Sequence, residues 1–225
     1  MENLLNILIV DDNPMIIEAY KSMFNYADLD CCSLNIDVAC DCEEAISKMK
    51  LAQTKVPYDC FYFDMNLPQS LDGNFKSGED LALYAKKYFP KAKVAILTLN
   101  NDSLSIHNIL TKIKPDGLLI KNDSNPTEFI AGFKTIMRNP PFYSTSVIKF
   151  LSNISLRKES DQFDDNDIKI LMHLERGIKT KDLDQYINLS LSSIEKKKSQ
   201  LKKSLNLKRA NDEDLVRIAK EKGLI

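Results

Sequence analysis

The sequence predicts an α/β protein: a five-stranded doubly wound parallel sheet followed by a small all-α domain. Three observations lead there. Short apolar runs alternate five times with amphipathic segments up to about residue 140. The apolar runs end in polar or charged residues, as strands do where a parallel sheet presents its carboxyl rim. From residue 163 onward the strand signals cease and helical spacing remains. With 225 residues the chain exceeds one domain of about 100–200 residues, so two domains are expected.

The elements follow in order. Leu4 to Val10 (LLNILIV) reads as a buried strand, and Pro14 opens an amphipathic helix reaching about Ala27. Leu34 to Ala39 is the second strand and Glu43 to Leu51 the second helix. YDCFYFD, ending at Asp64, is the third strand, and Gly78 to Phe89 the third helix. Lys93 to Leu99, Ser103 to Ile113, Asp116 to Lys121 and Pro126 to Met137 complete the alternation. Right-handed crossovers place such helices on both faces of the sheet. The first domain is expected to cover 1–140, a linker 141–162, and the second domain 163–225.

Composition narrows the function. Hydrophobic residues make up 44% and charged residues 28%, which describes a folded globular chain. No apolar stretch approaches the roughly 20 residues that cross a bilayer, and Met1-Glu2-Asn3 lacks a basic leader region, so a cytoplasmic protein without membrane partners is expected. Five cysteines (Cys31, Cys32, Cys40, Cys42 and Cys60) show no zinc-type spacing and lie far in sequence from His107 and His173. They read as reduced structural thiols. The net charge of -1 conceals an asymmetry: residues 1–150 carry 15 basic against 19 acidic side chains, and residues 151–225 carry 16 against 13. The halves are therefore expected to meet different partners.

The strand ends carry the chemistry. Asp11 and Asp12 follow the first strand, Asp64 ends the third, Thr98 the fourth and Lys121 the fifth. In the common five-stranded order the first and third strands are neighbours, so the three carboxylates would converge. Crowded carboxylates repel unless a cation sits among them, and an all-oxygen site that keeps waters suits Mg²⁺. Asp64 is the candidate nucleophile for an acyl phosphate, Asp11 and Asp12 are candidate metal ligands, and Lys121 and Thr98 would hold phosphoryl oxygens.

Asp11-Asp12, the D-x-x-L-P of Asp64 to Pro68, Thr98 and Lys121 make residues 1 to about 140 resemble a CheY-like receiver domain of a two-component response regulator. The resemblance implies phosphorylation of Asp64 by a histidine kinase or a small phosphodonor. It also implies a Mg²⁺ site completed by the backbone carbonyl of Asn66. The segment Gln69 to Lys76 is longer than the family pattern.

In the second half, Asp164 is an N-cap before a helix whose Ile168, Leu171 and Met172 share a face, and Gly177 is placed to end it. A short helix near Lys181 to Tyr186 follows, then a turn at Asn188 where a left-handed residue is expected. Leu191 to Leu207 form the next helix and Asn211 to Lys222 the last. On the third helix Leu191, Ile194, Leu201 and Leu205 share one face, opposite a strip of Ser193, Lys196, Lys197, Gln200 and Lys203. Such a strip suits a major groove, with lysines on phosphates and short polar side chains near base edges.

Ile170-Leu171, Gly177, Lys181-Asp182-Leu183, Ser193-Ile194, Leu201, Leu205 and Leu215-Val216 resemble the LuxR-type helix-turn-helix domain of the NarL/FixJ group. Glu195 stands where that family often has a lysine. The expected protein is thus a phosphorylation-controlled transcription regulator with a flavodoxin-like receiver, Mg²⁺ as cofactor and DNA as partner, and it is not a turnover enzyme. Lys181 joins the expected DNA contacts. A homodimer is expected to form on phosphorylation or DNA binding, through the last helix at Leu215, Val216, Ile218 and Ala219. The alternative is a receiver whose helical output binds a protein partner.

Overall fold

The computed structural model describes residues 3–26, 32–123, 125–158, 163–207, 210–222 and 224–225. Of the residues named from the sequence, Met1, Glu2, Ala27, Cys31 and 159–162 lie outside the described set, as does the side chain of Cys32. The chain forms two compact units, the first ending at Val147 and the second reaching Ile225.

In the first unit β1 (Asn3–Val10), β2 (Cys32–Ala39), β3 (Cys60–Asp64), β4 (Lys93–Thr98), β5 (Gly117–Ile120) and β6 (Phe142–Tyr143) form one parallel sheet in the order β2-β1-β3-β4-β5-β6. The crossover helices are α1 (Pro14–Tyr26), α2 (Cys42–Thr54), α3 (Gly78–Tyr88), α4 (Ser103–Lys112) and α5 (Pro126–Arg138). Every residue of β3 and β5 is buried, as expected for strands covered on both faces.

Alternation along the strands assigns the two faces. Ile7, Ile9, Tyr62, Leu97 and Leu119 meet Tyr20 and Phe24 of α1 and Phe129 and Phe133 of α5 in one cluster. Tyr20 stacks on Phe129 with ring centroids 4.7 Å apart. On the other face Phe61 meets the ring of Phe89 edge-on at 5.1 Å.

The sheet has six strands where five were expected, and the segment 141–162 read as a linker begins with the sixth. Pro140 and Pro141 cannot continue α5, and the chain returns along the open edge of β5. Phe142 N–H donates to Asp116 O at 3.0 Å and Ser144 N–H to Leu118 O at 3.0 Å, satisfying edge carbonyls. Gly132 makes room for this strand, because a Cβ there would press into the Phe142 ring. A helix α6 (Thr145–Lys158) follows.

The second unit contains α7 (Asp165–Glu175), a 3-10 turn (Thr180–Gln185), α8 (Leu191–Ser204) and α9 (Asp212–Glu221). Asp164 and Asn211 cap α7 and α9 with reciprocal capping boxes, and Ser190 caps α8. Ile170, Leu171, Leu174, Leu183, Ile194, Leu201, Leu205, Leu215 and Ala219 form the core. Gly177 takes the left-handed conformation after α7 at φ 79°. Among the described residues of this unit the other left-handed one is Asn206, at φ 59° after α8, and Asn188 does not take that conformation. Leu191 is exposed at the start of α8 and does not join the face formed by Ile194, Leu201 and Leu205. Leu215 and Ala219 are wholly buried, so of the residues expected on a dimer surface only Val216 and Ile218 remain partly accessible.

Candidate functional site

The strand order decides which side chains meet. β1 lies between β2 and β3, and the pairing of Val10 with Phe63 sets Asp11 beside Asp64 at the carboxyl rim. One carboxylate oxygen from each of Asp11, Asp12 and Asp64 lies within 4.8 Å of the other two. Asp11 and Asp64 are buried while Asp12 is exposed, so the cluster opens to solvent on one side.

From β5, Lys121 reaches across the rim and donates to Asp11 Oδ2 at 2.6 Å and Asp64 Oδ2 at 2.9 Å. Burial disfavours the ammonium charge, but the two carboxylates outweigh it and hold its pKa above the ordinary lysine value. Asp64 moves the opposite way to a simple ion pair. Burial pushes its pKa up, and Lys121 only partly offsets this.

Thr98 sits at the same rim, between its neighbours Asp64 and Lys121. β3 pairs Asp64 with Leu97, and Lys121 N–H donates to Thr98 O at 2.8 Å. The Thr98 side chain is buried, and its hydroxyl accepts from Asn100 N–H at 3.1 Å. Asn66 is exposed just beyond Asp64, and its N–H donates to Asp64 Oδ1 at 3.3 Å. Among the described residues no backbone donor meets the Asn66 carbonyl.

Two contributors carried no signal in the sequence. Tyr20 occupies an apolar position of α1, yet burial and then the charges of Asp11 and Asp64 raise its pKa, which places its phenol in the field of the cluster. Gly78 begins α3 against the main chain of Asp64, and a Cβ there would overlap the Asp64 carbonyl oxygen. Only proximity in space reveals either role.

The donor set fits a small hard cation: all oxygen, three carboxylates, and one side open to water. Among the described residues no other His, Cys, Asp or Glu group has metal-site spacing, and Cys40, Cys42 and Cys60 are free thiols. No described helix is long and apolar enough to cross a membrane.

The long segment after Asp64 is folded. Ser70 is buried, donates from Oγ to Asp72 Oδ1 at 2.6 Å and accepts from Phe75 N–H at 3.0 Å. The Ser70 hydroxyl bond and two from Asn74 hold the Asp72 carboxyl down at about 2. Leu71 N–H donates to Glu43 Oε2 at 2.9 Å, and Cys42 N–H donates to Pro68 O at 3.1 Å, tying the segment to α2.

In the second unit Lys181, Lys196, Gln200 and Lys203 are exposed, and Ser193 is half-buried with its Oγ 2.9 Å from Ser190 Oγ. Lys197 departs from the expected strip. Its Nζ lies 2.6 Å from Asp164 Oδ2 and 3.1 Å from Asp167 Oδ1, turned toward the start of α7. The helical wheel alone could not show that, because it does not say where α7 packs.

No family model matches the chain. The oxygen regulatory protein NreC of Staphylococcus carnosus is 23% identical over 232 residues, covering 98% of this chain and 99% of that protein. The transcriptional regulatory protein RcsB of Salmonella typhi is 22% identical, covering 95% and 92%. Among solved structures, RcsB from Salmonella enterica serovar Typhimurium, bound to a promoter in the presence of phosphomimetic BeF3-, superposes with a TM-score of 0.56. That match has 20% identity and covers 98% of this chain and 99% of the other. The likeness spans both units and shows the fold, a doubly wound α/β unit followed by a helical unit.

Proposed function

We propose that this chain is a transcription regulator in which phosphorylation of Asp64 controls DNA binding by the second unit. The observation that carries the reading is the convergence of Asp11, Asp12, Asp64 and Lys121 at one rim. An Asp64 oxygen attacks the phosphorus of a phosphohistidine or a small acyl phosphate. The bond to the donor nitrogen or oxygen breaks, the donor leaves with that electron pair, and an aspartyl phosphate forms.

Lys121 supplies a fixed positive charge for a phosphoryl oxygen, and the Thr98 hydroxyl can turn from Asn100 to donate to another. A Mg²⁺ ion held by Asp11, Asp12, Asp64 and the Asn66 carbonyl would neutralise the carboxylates and anchor the transferred group. Phosphorylation replaces the carboxylate charge of Asp64 with a phosphoryl group carrying about -1.5 to -2 and so redistributes the bonds of Lys121. Control of the second unit requires that this charge favour one of two arrangements of the chain, and a dimer on a two-fold DNA site is the expected active form.

The test is labelling by acetyl phosphate in Mg²⁺ together with DNA retention. Wild type takes up one phosphoryl group and Asp64→Ala takes up none; equal labelling of the variant refutes the site. Salt-sensitive retention on mixed DNA supports the DNA-binding output. Absence of retention at low salt, with and without phosphorylation, favours a protein partner instead.

A further inference from the structure

α8 carries five lysines, which would make an indiscriminate basic surface if all faced outward. They do not. Lys197 is paired with Asp164 and Asp167 of the α7 capping box, and its side chain is 20% exposed. Lys198 is buried, 2.7 Å from Asp212 Oδ1 at the start of α9, and bonds Thr180 of the 3-10 turn. Lys202 donates to Ala210 O at 2.7 Å. Drawing Lys197 or Lys198 out to a DNA phosphate would strand the carboxylates they neutralise.

What remains outward is a different stripe. At about 100° per residue, Ser192, Lys196, Ser199 and Lys203 stack along one line, with Glu195 and Gln200 on its two flanks. The side chains of five of the six, all but Ser192, form no hydrogen bond or ion pair among the described residues; the Ser192 side chain bonds only Ser190. Glu195 is therefore an exposed, unpaired carboxylate on the flank of a lysine-bearing stripe.

A carboxylate is an acceptor only, and beside DNA phosphates it is repelled. In the major groove the donors are cytosine N4 and adenine N6, and adenine also presents the N7 acceptor, which repels a carboxylate. Cytosine alone offers a donor to Glu195 without an adjoining acceptor on that base.

Building on the DNA-binding reading above, we infer that Ser192, Glu195, Lys196, Ser199, Gln200 and Lys203 form the base-reading surface of α8. Within it Glu195 selects cytosine, while Lys197 and Lys198 brace the helix against α7 and α9 without touching DNA.

Selection from a random DNA pool with full-length phosphorylated protein tests this, followed by salt titrations on the enriched site. Wild type enriches a motif with one invariant cytosine. Glu195→Gln replaces that cytosine with adenine, a change of roughly tenfold or more in preference, and keeps the other positions. Lys196→Met lowers the salt slope by about 0.9, the release expected for one phosphate contact, whereas Lys197→Met leaves the slope and the motif as they were. Lys197→Arg, which keeps the pairs, binds as wild type, and Asp167→Asn, which releases one of them, does not steepen the slope.

An unchanged motif for Glu195→Gln overturns the base assignment. A slope loss near 0.9 for Lys197→Met overturns the brace, and if the methionine variant does not fold, a steeper slope for Asp167→Asn overturns it. A wild-type pool with no enrichment instead refutes the DNA-binding reading itself.

Discussion

Lys121 and Asp64, 57 residues apart in sequence, are joined by a 2.9 Å bond between Nζ and Oδ2, with both side chains 7% exposed. The same ammonium bonds Asp11, so one lysine compensates two buried carboxylates. Lys121→Met leaves both without a cation. In metal-free urea unfolding it is expected to lower stability by about 1–3 kcal/mol, below the usual cost of stranding a fully buried charge because Asp12 keeps the cluster open to water. An unchanged midpoint would show that the bridge contributes nothing.

Asp64 itself is a strained ion. Burial raises its folded pKa above the unfolded value, so its contribution to stability is present below about pH 4 and lost as pH rises through the folded value. Asp64→Asn should therefore raise the melting temperature of the metal-free protein at pH 7, with a smaller gain at pH 4. A variant that melts below wild type at pH 7 contradicts this assignment of cost.

Gly78 is small because the main chain of Asp64 lies against it. Gly78→Ala should cost about 1–3 kcal/mol through overpacking and slow acetyl-phosphate labelling of Asp64, since the clash moves the strand end that aims the carboxylate. Gly73→Ala is the contrasting variant. A Cβ there meets nothing, although φ 68° is strained for alanine, so it should lower stability without slowing labelling.

His173 lies within α7, beside Tyr186 with ring centroids 5.1 Å apart, and its Nδ1 has no partner among the described residues. Burial, then Arg176 and Lys169, hold its pKa below the ordinary histidine value. As pH falls through about 6.5 the unfolded chain takes the proton first, so folding stability declines toward acid. Unfolding of the full chain should show this slope between about pH 7 and 5, and His173→Phe should flatten it.

The sequence by itself determined the alternation of elements, the acidic and basic ends of the strands, and the helical second unit. Hydrophobic periodicity is a local property: LLNILIV and CFYFD have only one way to bury themselves, and strand ends place Asp11, Asp64, Thr98 and Lys121 at one rim whatever the details. The tertiary structure decided the rest. That Phe142 and Tyr143 become a strand depends on the open edge of β5 and the gap at Gly132, neither visible in a two-residue apolar pair after two prolines. Gly78 and Tyr20 enter the site only because α3 and α1 pack where they do. The lysines of α8 read alike along the chain, and only the placement of Asp164, Asp167 and Asp212 turns Lys197 and Lys198 inward, leaving Glu195 and Lys196 to face solvent. A helical period says which residues share a face; which neighbour that face meets is settled by long-range packing.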